Sequence, residues 1–113
     1  MSAPVKLSRP LVLEAPERGP DGAGGFAQVW AVRGTLWAEV VARTGREAAG
    51  EGASLGRAAY RITVRAAPQG APSRPVAGQR LRDGERLFAV LAVTESAAGP
   101  AYLTLWAEEE VVA

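Results

Sequence analysis

Residues 20–25, PDGAGG, run directly into FAQVW at residues 26–30. A proline and three glycines in six positions accept dihedral angles closed to other residues, which marks a turn. The residues that follow are β-branched and aromatic, as a packed strand requires. A phosphate cradle is the other reading, and it fails on chemistry. The Gly-Lys-Ser/Thr end of a P-loop, which holds phosphate and magnesium, is missing, as is the Gly-x-Gly-x-x-Gly spacing of a dinucleotide site. Pro20, Asp21, Gly22, Gly24 and Gly25 therefore read as a structural turn leading into a strand.

On the N-terminal side, VKLSRPLVLEA (residues 5–15) alternates through Val5 and Leu7 and resumes at Leu11 and Leu13. It predicts an edge or interrupted strand, because Pro10 has no N–H to give a ladder. PERGPDGAGG (16–25) follows as a connection. On the other side, FAQVWAV (26–32) and TLWAEVV (35–41) flank Arg33 and Gly34. They read as a hairpin, or as neighbouring segments that take different partners, with Trp30 and Trp37 adding buried area.

Residues 42–59, ARTGREAAGEGASLGRAA, break the pattern. Alanine and glutamate can support a short helical turn, but Gly45, Gly50, Gly52 and Gly56 each weaken a longer helix by about 1 kcal/mol relative to alanine. The segment reads as a long loop, a length that usually accompanies binding or switching. Alternation returns at YRITVRA (60–66), with Tyr60, Ile62 and Val64 on one face and Arg61, Thr63 and Arg65 on the other. APQGAPSRPVAG then runs as a surface passage to QRLR. Asp83-Gly84 signals a hairpin into ERLFAVLAVTE, whose two apolar faces, Phe88, Val90, Ala92 and Leu87, Ala89, Leu91, Val93, suggest a strand covered on both sides. In AYLTLWAEE, Tyr102, Thr104 and Trp106 oppose Leu103, Leu105 and Ala107. The whole predicts an all-β fold, a small barrel or sandwich-like barrel of six to seven mostly antiparallel strands, with core aromatics Trp30, Trp37, Tyr60, Phe88 and Trp106.

The 113 residues suit one domain spanning 1–113 with flexible termini, and a monomer of this size buries roughly 65% of its extended surface. There is no cysteine and no histidine, which removes disulfides, thiolate chemistry, imidazole metal ligation and a Ser-His-Asp triad. No apolar run approaches a membrane span or a secretory leader, so the expectation is a soluble cytoplasmic product without membrane contact. No cofactor is expected. Glu14 and Glu39 have nothing in their spacing to set them up as a general acid and base. The chain does not read as an enzyme.

The net charge of +1 hides an uneven distribution. Residues 41–82 hold eight arginines and two glutamates, while residues 83–113 hold one arginine and six acids. The arginines, among them Arg43, Arg46, Arg57, Arg61, Arg65, Arg74, Arg80 and Arg82, could meet phosphates, with aromatic rings stacking on bases. A small β-barrel nucleic-acid-binding module is thus the alternative reading. Glu108, Glu109 and Glu110 are consecutive acids at the end of a strand, either a solvated edge or a partner-facing rim.

Taken in order, RPLVLEAP, PDGAGGFAQVW, GTLWAEV, TGRE, YRITVRA, ERLFAVLAVTE and AYLTLWAEE resemble the head-tail joining, or head closure, proteins of tailed bacteriophages and gene transfer agents, across residues 5–110. The resemblance implies a small barrel-like subunit that forms a ring with copies of itself in the particle neck. Its implied partners are a portal-side adaptor, a tail terminator or other tail-side protein, and the packaged double-stranded DNA passing through. Pro20, Asp21, Gly22, Gly24 and Gly25 match the family's turn, with Trp30 and Trp37 following it. Gly45, Arg46 and Glu47 match the motif that opens the long loop, and residues 60–65 match the returning strand. The expectation that follows is a virion-neck protein, cytoplasmic during assembly. Its 42–59 segment, with Arg43, Arg46 and Arg57, faces either channel DNA or a neighbouring subunit. The departures are the proline-rich passage at APQGAPSRPVAG and Trp106, where many relatives carry a smaller residue.

Overall fold

The computed structural model describes residues 4–43 and 58–110. Among them are six strands: β1 (Arg9–Pro20), β2 (Phe26–Ala42), β3 (Ala59–Arg65), β4 (Arg80–Asp83), β5 (Arg86–Ser96) and β6 (Gly99–Glu109). All pairings are antiparallel, and the sheet closes on itself in the order β1-β2-β3-β6-β5-β4. Closure gives every barrel strand two neighbours, so the barrel has no free edge. The expected all-β barrel is the observed one, and the helical turn expected within 42–59 lies outside the described residues.

Inward positions follow the two-residue period of the strands. Leu11, Leu13, Ala38, Ile62, Val64, Leu81, Phe88, Val90, Leu103, Leu105 and Ala107 form the interior cluster, with Tyr60, Leu36, Val40 and Val93 packed against it. A six-stranded barrel has room for side chains of this size and for little else. Phe88 is the one aromatic sealed inside. Of the other four, Tyr60 packs against the interior cluster, while the three tryptophans differ from their expected core placement. Trp30 and Trp106 are half-buried on the outer surface, Trp37 is 55% exposed, and Tyr60 sits at the rim. The parity of their strands points the three indoles outward.

Two further expectations are corrected. Arg33 and Gly34 do not turn the chain. They interrupt one 17-residue strand, whose register against β1 jumps between Leu13↔Gly34 and Glu14↔Val32 and leaves Arg33 as the extra residue of a bulge. Gly34, at φ 144°, supplies a backbone angle that other residues rarely reach. Likewise, β5 is not apolar on both faces in register. A bulge between Val90 and Ala92 turns Leu91 out to 48% exposure and returns Val93 to the core side.

The connection expected at 16–19 is also strand, because β1 continues to Pro20 against β2. Pro10, Pro16 and Pro20 all fall on alternate positions outside Val12–Glu14, the only stretch of β1 that pairs with β4. Their missing donors therefore remove no β1–β4 bond. Beyond Glu14 the β1–β2 ribbon leaves the barrel as a two-stranded arm, reaching roughly 20 Å at 3.4 Å per residue. At its tip, Asp21 Oδ1 accepts N–H bonds from Ala23 (2.8 Å) and Gly25 (3.0 Å), and Gly22 and Gly24 take φ of 82° and 86°. A Cβ on Gly25 would lie 2.7 Å from Asp21 Oδ2.

The β4–β5 hairpin pairs Asp83 with Arg86 across Gly84 and Glu85, and only Gly84 has positive φ, at 61°, the pattern of a type II′ turn. Gly84→Ala is expected to lower stability by about 1 kcal/mol through backbone strain alone, since nothing lies within 4 Å of the added carbon. Urea unfolding would measure it as a lower midpoint at constant slope.

Candidate functional site

The barrel has two unlike ends. At one, β2 stops at Ala42 and β3 starts at Ala59, so the 44–57 connection leaves and returns here. Its root is pinned by the Arg43 N–H, which donates to the Ala59 carbonyl at 2.9 Å. The mouth beside it is closed by side chains of inward parity. Arg86 donates through Nε and Nη2 to the two Glu109 oxygens at 2.8 and 3.1 Å, and Tyr60 donates its hydroxyl to Glu109 Oε1 at 3.1 Å. Tyr60 meets Phe88 edge-on with centroids 5.1 Å apart, and the Arg86 guanidinium lies 5.0 Å above the Phe88 ring. The hydrogen bond from Arg86 holds the Glu109 carboxyl below its ordinary range, against burial that would raise it, and Tyr60 adds to the lowering. Arg9 pairs with Asp83 at the same end.

The acids expected to form a rim thus occupy different settings. Glu109 is held in the mouth, Glu108 is buried with Oε2 lacking a hydrogen-bond partner among the described residues, and the Glu110 N–H donates to the Leu87 carbonyl at 2.7 Å. Of the loop residues singled out above, Arg43 stacks over the Trp106 ring at 4.8 Å. Gly45, Arg46, Glu47, Gly50, Gly52, Gly56 and Arg57 lie outside the described residues.

At the other end, the arm leaves the barrel beside a charged cluster that sequence reading did not find. Glu14 is only 5% exposed, yet it is a carboxylate. Arg80 Nε donates to its Oε1 at 2.7 Å and Arg82 Nε to its Oε2 at 2.9 Å. Burial alone would raise the Glu14 pKa. The two hydrogen bonds and the two positive charges outweigh it and lower the value. Arg80 also lies flat over Trp30, 4.1 Å from the ring centroid. The cluster ties β4 to β1 where the arm departs. The one available hint was a glutamate inside the apolar run LVLEA.

The basic middle of the chain does not gather into a free patch among the described residues. Arg80 and Arg82 are engaged by Glu14, Arg74 donates to the Ala67 carbonyl at 2.8 Å, and Arg65 sits over Tyr102. The geometry is that of a scaffold with a loop-bearing end and an arm-bearing end.

Comparison with known proteins agrees with that geometry. A component of the virion of a native gene transfer agent particle is similar at 46% identity, over 99% of this chain and 100% of that one, with a TM-score of 0.75. A protein from Shigella flexneri 2a, determined in solution, shares the fold at 21% identity and a TM-score of 0.66, over 93% of this chain and 92% of that one. No curated protein matches the sequence significantly. The phage head completion protein family matches residues 3–110, essentially the whole chain, and the chain belongs to that family.

Proposed function

We propose that this protein is a structural component of the neck of a phage or gene transfer agent particle, forming a ring with copies of itself between the portal-side adaptor and the tail. The observation that carries the reading is the end-to-end likeness, at 46% identity, to a component of a gene transfer agent virion. The two-ended barrel supports it, since a connector needs separate surfaces toward head and tail. The chain works as a single unit, and its role is assembly rather than catalysis. In the ring, the 42–59 segment is directed toward the axis, where it narrows the passage of packaged double-stranded DNA. Of the three consecutive acids, Glu110 contributes to the rim at the same end.

Imaging of particles tests the placement. Deleting the gene is expected to give heads without tails, and re-expression to restore tailed particles with density for this chain in the neck. Tailed, DNA-filled particles after deletion would overturn the reading. The axial segment is tested separately. Arg46→Gln with Arg57→Gln is expected to lower DNA retention in tail-less heads while rings persist, and unchanged retention would remove the channel role alone.

A further inference from the structure

The bulge in β2 has a geometric effect on the outer surface. Phe26, Trp30 and Val32 are cross-strand partners of Pro20, Pro16 and Glu14, while Trp37 faces Pro10 beyond the bulge. Glu14 points outward to Arg80 and Arg82, so Val32 opposite it points outward too. Even-numbered residues up to Val32 and odd-numbered residues after the bulge therefore share one face. Without the extra residue, Trp37 and Phe26 would lie on opposite sides. The result is one apolar stripe from barrel to arm tip, with Phe26 64%, Val32 63% and Trp37 55% exposed. Arg18 lies over Phe26 at 4.6 Å and Arg80 over Trp30 at 4.1 Å, which completes the aromatic and arginine composition typical of interface anchors.

A two-stranded ribbon is marginal in water, and one that shows large apolar groups gains by covering them. Pro16 and Pro20 leave the outer edge of β1 in the arm a poor template for strand addition, while the stripe offers its side chains for docking. We infer that the stripe is the subunit contact of the ring, and that its occupant is the β5 face of the next copy of this chain. The inference rests on the ring reading above.

Three observations select that occupant. In the closed strand order, β5 lies directly across the barrel from β2. Two different patches on opposite sides of one subunit are what a head-to-tail ring needs, whereas a two-fold dimer would use one patch twice. The β5 face exposes apolar side chains of its own, Leu91 at 48% and Val76 at 50%, the latter on a loop joined to β5 by the Gly78 N–H to Val90 carbonyl bond. Finally, the charges are complementary. Arg18, Arg80 and Arg82 outnumber the carboxylates of Glu14 and Glu39 on the stripe face, while Glu85 is exposed at the turn that opens β5.

The chain has no cysteine, so introduced thiols are the only ones it carries. Phe26→Cys/Leu91→Cys and Val32→Cys/Leu91→Cys would be assembled into particles and treated with a short bis-maleimide. The expected result is a ladder of chain multiples from at least one double variant and none from the single variants. Phe26→Ser/Trp37→Ser, altering exposed positions only, should melt like the parent yet reduce neck occupancy at least tenfold. Rings visible in the neck without any ladder would overturn this interface and leave the ring reading standing. So would coupling of the Phe26→Cys thiol to a different neck protein. Absence of the chain from the neck would overturn both.

Discussion

Phe88→Ala is expected to lower the free energy of unfolding by about 4 kcal/mol, the upper part of the range for large-to-small changes in a packed core. Phe88 is wholly buried and is the largest side chain in the interior. It pairs with Leu81 on β4 and Glu109 on β6, so its ring supports both neighbours of β5 at once. Its edge-on contact with Tyr60 and its position beneath Arg86 extend the loss to the barrel mouth. A domain of this size has only about 5–15 kcal/mol in total, so the variant should be substantially unfolded by mild denaturant. Urea titration followed by tryptophan fluorescence would measure the shift. Phe88→Leu, which keeps most of the volume, should recover more than half of it, and equal losses for the two variants would contradict the packing account.

Glu14→Ala is expected to cost about 3 kcal/mol at neutral pH, because it leaves two arginines without the carboxylate that accepts from both. The arginines reach solvent more readily than the glutamate, with side-chain exposures of 18% and 39% against 7%, which keeps the expected loss at the low end for broken buried pairs. The same contact predicts an acid limb. The folded carboxyl is lowered below its ordinary value, so its stabilisation is complete above the unfolded pKa of about 4.3 and is lost as pH falls through the folded value. Glu109 behaves in the same sense. Stability measured from pH 7 downward should therefore fall below about pH 4 in the parent protein, and Glu14→Gln should flatten part of that fall while lowering the plateau. An acid limb of unchanged steepness in Glu14→Gln would contradict the coupling.

The features legible in the sequence are those set by local chemistry. The turn at 20–25, the alternation of Tyr60 to Arg65, the Asp83-Gly84 hairpin and the inward set Leu103, Leu105, Ala107 each depend on residues within a few positions of one another. The two bulges are not legible, because an extra residue in a strand leaves no compositional mark unless the partner strand is known. Missing them moves Trp37 and Leu91 to the wrong environment. The Glu14 cluster is hidden for a different reason: its partners lie 66 and 68 residues away, and only closure of the sheet brings β4 against β1. Hydrophobicity alone assigns the indoles to the inside, whereas strand parity and the narrow interior place them outside.

The strand order also governs when the molecule can form. The last strand among the described residues, β6, sits in space between β3 and β5, and β1 waits for β4. A nascent chain halted before Gly99 would leave β3 and β5 with open edges, a species prone to sticking to its own kind. Closure of the barrel must therefore await residues 99–109, and all-β topologies of this kind fold on the millisecond-to-second scale.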